Sequence, residues 1–150
     1  MIAISSRPTR RAWNTVSFAS TLYLMPILDL LIAELPRRWR AEVRLGLQEA
    51  LVNAAKHGNK LDPTKTVLVR FSITPHQHWW VISDQGAGFR PPQECTVARH
   101  DHALPGDQQE SGRGLYILYQ IFDHVEWTAD GTELHLCKQL KPSFKLPLLP

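Results

Sequence analysis

The chain has 150 residues, 43% of them hydrophobic, and a formal net charge of +3, which suits one compact domain with its own core and leaves no room for a second. Two widely separated cysteines, Cys95 and Cys137, exclude a disulfide framework and read as reduced thiols of a cytoplasmic protein. The longest apolar stretch, Leu22 to Leu35, is broken by Pro26, Asp29 and Glu34, so it makes a poor membrane span, and no apolar signal core follows the first arginines.

In chain order, Val16 and Phe18 predict a first strand. Leu24, Leu28, Leu31 and Leu35 predict a helix with Pro26 in its first turn. The arginines cluster at Arg7, Arg10 and Arg11 and again at Arg37, Arg38 and Arg40. Neither cluster carries interleaved aromatics or a nucleic-acid motif, so solvated arginines or docking to an acidic protein are expected rather than direct nucleic-acid binding. A second helix is predicted from about Trp39 to His57, with Gly58 as a left-handed cap. Val43, Leu47, Ala50, Leu51 and Ala54 form its buried stripe, and Gly46 inside it is tolerable if another element packs close there. Glu49 and Asn53 lie one turn apart on another face. An acid and an amide so placed can share one target, a hydrated divalent cation or a hydroxyl awaiting deprotonation, although a solvated helix face has the same pattern.

Val67, Val69, Phe71 and Ile73 alternate as a half-buried strand, and Trp79 to Ser83 form another, with Trp79 and Val81 on one face and Trp80 and Ile82 on the other. Asp84-Gln85-Gly86-Ala87-Gly88 follows directly. Its glycines let a flat ligand come close to the backbone and its aspartate can accept a hydrogen bond from an exocyclic amine, while Asp before Gly is also an ordinary turn. From Phe89 to Glu110 no periodicity is sustained; Cys95, His100, Asp101 and His102 in this loop match no zinc spacing, nor do His76 and His78 at a hairpin turn. Ser111-Gly112-Arg113-Gly114 then precedes a helix marked by Leu115, Leu118, Ile121 and Phe122. Such a junction reads either as a phosphate cradle or as a flexible loop. Glu126 to Thr128, the turn Ala129-Asp130-Gly131, and Thr132, Leu134 and Leu136 predict a closing hairpin, and the proline-containing tail from about 141 is expected to be loosely held. The fold class that follows is α+β: a two-layer sandwich with helices on one face of a mainly antiparallel mixed sheet, its core at about 12–138.

Taken together and in this order, Glu-x-x-x-Asn on a helix, Asp-x-Gly-x-Gly after a strand and Gly-x-Gly at a later helix resemble the N, G1 and G2 boxes of the Bergerat-fold ATPases. The phrases Glu49-Ala-Leu-Val-Asn-Ala-Ala-Lys-His-Gly and Ser111-Gly-Arg-Gly-Leu are similar to those of the anti-sigma-factor serine kinases. The resemblance implies binding of ATP and Mg²⁺. Glu49 would be the general base, Asn53 the Mg²⁺ ligand, Asp84 the acceptor of the adenine amine, and Thr132 a hydroxyl supporting that contact through water. Gly86 and Gly88 would admit the nucleotide, and Gly112, Arg113 and Gly114 would face the phosphates. Lys56 and His57 could add charge near them. The loop from Phe89 to Glu110 would be an ATP lid. A homodimer that binds a sigma factor and phosphorylates a serine or threonine of an antagonist protein is the implied function. The alternative is a nucleotide-gated binding module with a different regulatory partner and negligible kinase activity.

Overall fold

The computed structural model describes residues 11–90 and 110–140. Alternation decides the sheet. Strands β1 (Asn14–Ala19), β2 (Thr66–Ile73), β3 (Gln77–Ser83), β4 (His124–Trp127) and β5 (Glu133–Gln139) join in the order β1-β2-β3-β5-β4. Every pairing is antiparallel, so the sheet expected to be mixed has no parallel pair among the described residues. Val67, Val69, Phe71, Trp80, Ile82, Leu134 and Leu136 point into one core with Leu28, Leu31, Val43, Leu47, Leu51 and Leu118 from the helices. At about 1.5–3 kcal/mol for each fully buried large side chain, this layer is the main source of stability. The indole of Trp80 joins the layers further, donating from Nε1 to the Leu31 carbonyl at 3.3 Å.

Helix α1 (Met25–Ile32) carries Pro26 in its first turn, as expected. Arg40 closes its far end, donating from Nε to the Leu35 carbonyl at 2.9 Å and from Nη2 to the Ala33 carbonyl at 3.0 Å. One of the arginines offered as a docking residue is therefore committed to the fold. Helix α2 (Arg37–Val52) buries Val43, Leu47, Ala50 and Leu51 of the expected stripe, and Ala54 is buried just beyond its end. A Cβ on Gly46 would stand 2.6 Å from Phe122 Cε2, so the glycine admits the Phe122 ring.

Two expected boundaries move. Helix α2 does not run unbroken to a left-handed Gly58: from Asn53 to Gly58 the backbone is π-helical, closed by Asn59 N–H to the Ala54 carbonyl at 2.9 Å. The left-handed residues are Lys60 (φ 52°) and Leu61 (φ 55°), and the extra residue per turn carries the reversal past Gly58. Helix α3 (Glu110–Ile121) begins earlier than expected, so Gly112 and Gly114 lie within its opening turns and not before it. The lid expected at 89–110, the residues Cys95, His100, Asp101 and His102, Arg7, Arg10 and the tail from 141 lie outside the described residues, apart from the ends Phe89, Arg90 and Glu110. No helix among the described residues is long and apolar enough to cross a membrane.

Candidate functional site

Glu49 on α2 and Asn53 at the start of the π-helical turn face the opening of α3. Glu49 and Asn53 are half-buried, and a Cβ built on Gly114 would fall 3.0 Å from Glu49 Oε2 and 3.7 Å from Asn53 Nδ2. A Cβ at position 114 would crowd the end of the Glu49 carboxylate and meet Asn53 at ordinary contact distance. Arg113 beside it is exposed, and Gly112 belongs to the same helix opening. Two motifs more than fifty residues apart in sequence thus meet at one place, the opening turns of α3 against a carboxylate and an amide.

Asp84 follows β3 and is held by three consecutive amides. Its own N–H donates to the Thr132 carbonyl at 3.0 Å, Gln85 N–H to Asn59 Oδ1 at 2.7 Å, and Gly86 N–H to Asp84 Oδ1 at 2.8 Å. Burial pushes the Asp84 carboxyl above the ordinary carboxylate value; the Gly86 N–H opposes this and the nearby Asp130 charge adds to it. Gly58 leaves no room for a Cβ against the Asp84 carboxylate, and Gly86 leaves none against the Gly58 carbonyl. The loop is therefore pressed onto the π-helical turn. Gly88 (φ 91°) and Gly131 (φ 72°) adopt backbone conformations that a side chain disfavours, and they let Phe89 N–H reach the Gly131 carbonyl at 2.8 Å. The Thr132 hydroxyl donates to Asp130 Oδ1 at 2.9 Å, so it is engaged away from Asp84, although Thr132 lies on the same cavity.

That cavity has a volume of about 270 Å³, and Asn53, Asp84, Gly88 and Thr132 line it together with Ala54, His57, Gly58 and Lys60. Its apolar wall is formed by Ile82, Leu115, Trp127 and Leu134. Mixed apolar walls with a few convergent polar groups are what a heteroaromatic ligand with a charged tail requires. Of the other expected site residues, Glu49, Gly86, Arg113 and Gly114 are not among the described residues that line it, though Gly114 abuts Asn53 and Gly86 holds Asp84. A wider hollow of about 540 Å³ beside Tyr119 and Trp127 contains none of them.

Sequence reading missed Asn59, Lys60, Trp127 and Gly131. Gly131 was visible only as a turn residue, and the Gly58-Asn59 pair carries a turn signal that gives no hint of a buried amide. The histidine flagged at position 78 is 2% exposed, sits against the Trp80 ring, and has its pKa lowered by burial. It is a core residue. No group of three or more His, Cys, Asp or Glu among the described residues could hold a metal ion by itself, so a cation here would share its ligands with phosphate and water.

The model of the histidine kinase-like ATPase domain matches residues 28–138, well over half of the sequence. The chain belongs to that family. This ATPase domain is 28% identical over 92 residues to the serine-protein kinase RsbW of Bacillus licheniformis, covering 60% of this chain and 58% of that protein. It is 28% identical over 105 residues to the anti-sigma F factor of Anoxybacillus flavithermus, covering 68% and 70%. The ATPase domain thus spans less than two thirds of the length of the first of these relatives. Among solved structures, the mycobacterial sensor histidine kinase MprB aligns with 87% of this chain and 99% of that one at 24% identity and a TM-score of 0.47, a likeness too loose to add to the family assignment.

Proposed function

We propose that the chain binds Mg-ATP in the cavity between α2 and the Asp84 loop and passes the terminal phosphoryl group to a serine or threonine of an antagonist protein. The observation that carries this reading is the meeting of Gly114 with Glu49 and Asn53, beside the cavity that Asn53 and Asp84 share. Asp84 accepts the adenine amine, Thr132 supports that contact by accepting from a water while its own proton stays on Asp130, and Gly86 and Gly88 keep the approach clear. Asn53 holds Mg²⁺, and Gly112, Arg113 and Gly114 hold the phosphates. When bound, Mg²⁺ neutralises phosphate charge that would otherwise repel a nucleophile. Glu49 takes the proton of the attacking hydroxyl, since phosphoryl transfer asks chiefly for positioning and a proton acceptor.

The names of the two relatives support the partner class. In this reading a homodimer in the cytoplasm holds a sigma factor in one nucleotide state and phosphorylates the antagonist in another. The test is transfer of labelled phosphate from ATP to candidate antagonists. Glu49→Ala is expected to keep Mg-ATP affinity within a few-fold and to abolish transfer, whereas Asn53→Ala weakens Mg-ATP itself. Equal effects of both on ATP binding would show the two roles to be misassigned.

One observation favours a second reading, a nucleotide-gated binding module with negligible kinase activity: Glu49 is not among the described residues lining the cavity. Intact ATP binding by the wild type, with no transfer to any antagonist whose binding it gates, would select it.

A further inference from the structure

Asn59 is fully buried at the point where the π-helical turn gives way to the reversal at Lys60 and Leu61. Its carboxamide is committed on both sides. Nδ2 donates to the Thr66 carbonyl and to Ser20 Oγ, each at 2.9 Å, and Oδ1 accepts the Gln85 N–H at 2.7 Å. Ser20 in turn donates to the Lys65 carbonyl at 2.9 Å, and Gln85 Oε1 accepts the Thr66 N–H at 2.8 Å. One amide side chain therefore ties the end of β1 and the start of β2 to the residue between Asp84 and Gly86.

We propose that Asn59 is a positioning residue of the nucleotide site, setting where the Asp84 carboxylate meets the base; this rests on the ATP-binding reading above. Three successive amides fix the loop, and each goes to a different anchor: Thr132 on the strand side, Asn59 on the helix side, and Asp84 itself. Of these three anchors, the middle one reaches the loop from the residue that ends the π-helical turn. Losing it leaves the Gln85 N–H unpaired and the residue held on that side only through its Oε1 bond to the Thr66 N–H, so the peptide can tilt and carry the Asp84 side chain away from Gly58. The phosphate end depends on Asn53 and Gly114, which take no bond from Asn59, so the effect belongs to base recognition and not to phosphate binding. A carbonyl or carboxylate aimed at an exocyclic amine discriminates adenine from guanine only while its direction is held.

The measurement is the ratio of ATP to GTP affinity, by competition against a fluorescent nucleotide, for the wild type, Asn59→Ala and Ser20→Ala. The wild type prefers ATP; Asn59→Ala lowers that preference about tenfold, mostly through weaker ATP binding. Ser20→Ala, which loosens the same cluster without removing the Gln85 anchor, lowers the melting temperature and keeps the preference. A folded Asn59→Ala protein with unchanged preference, or equal weakening of both nucleotides, would overturn the proposal while leaving ATP binding intact. A wild type that binds no ATP would overturn the functional reading instead. If Asn59→Ala does not fold, amide exchange in the nucleotide-free wild type decides: a protected Gln85 N–H is expected, and exchange at the rate of a free peptide would overturn the proposal.

Discussion

If Asp84 binds the nucleotide as proposed, ligand binding and stability make opposite demands on its carboxylate. Its pKa is raised above the ordinary 3.8 in the folded chain, so the folded state holds the proton more tightly than the unfolded one. The stability this contributes is complete below 3.8 and is lost as pH rises through the raised value. At neutral pH the ionised, half-buried carboxylate therefore destabilises the nucleotide-free protein. Asp84→Asn keeps an oxygen for the Gly86 N–H and removes the charge. It is expected to raise the melting temperature at pH 7 and to abolish the part of the pH profile just above 3.8 that falls with rising pH. Glu133, whose pKa is lowered, contributes a slope of opposite sign that is common to wild type and variant, whereas Asp130, also lowered, repels the Asp84 charge and is relieved of it in the variant, which adds to the gain at pH 7. Thermal denaturation across a pH series reads this directly, and an Asn variant less stable than the wild type at pH 7 would contradict it.

At the scale of elements, the β4–β5 hairpin is joined to the Asp84 loop where Gly88 passes Asp130 and Gly131 passes Phe89. Gly131→Ala puts a Cβ into the Phe89 backbone at a positive φ, and a loss of about 1–3 kcal/mol is expected in urea denaturation. A neutral or stabilising result would show that the crossing is looser than described. What the sequence made legible was whatever follows from periodicity: the α2 stripe, the two faces of β3, the closing hairpin and the element order. These depend on neighbours at fixed spacing. The π-helical turn was not legible, because it is held by Asn59 through Ser20, Thr66 and Gln85, partners with no local signature. The early start of α3 was missed for a related reason: Gly112 and Gly114 look like helix breakers, yet both lie inside α3, with Gly114 packed against the Glu49 carboxylate and not in a loop. Of the candidate site, Glu49, Asn53, Asp84 and the glycines came from motif spacing, whereas the apolar wall with Trp127 comes only from the way the strands pair.

At the scale of the whole molecule, the basic surface around α2 divides. Arg40 joins α2 to the end of α1, while Arg37 is exposed. Arg40→Glu is expected to lower stability by about 1–2 kcal/mol through the loss of two charge-assisted bonds. Arg37→Glu is expected to leave the melting temperature unchanged and to slow association with an acidic partner in a salt-dependent way. Circular dichroism melts of the two variants separate these roles, and equal destabilisation would remove Arg37 from the surface. The proposed nucleotide site stands on the cavity that Asp84 and Asn53 both line. Isothermal titration of Mg-ATP into the wild type and Asp84→Asn tests it most directly. Saturable one-to-one binding that weakens about ten- to a hundredfold in the variant is the predicted result; no binding by the wild type, or the same affinity in both proteins, would contradict it.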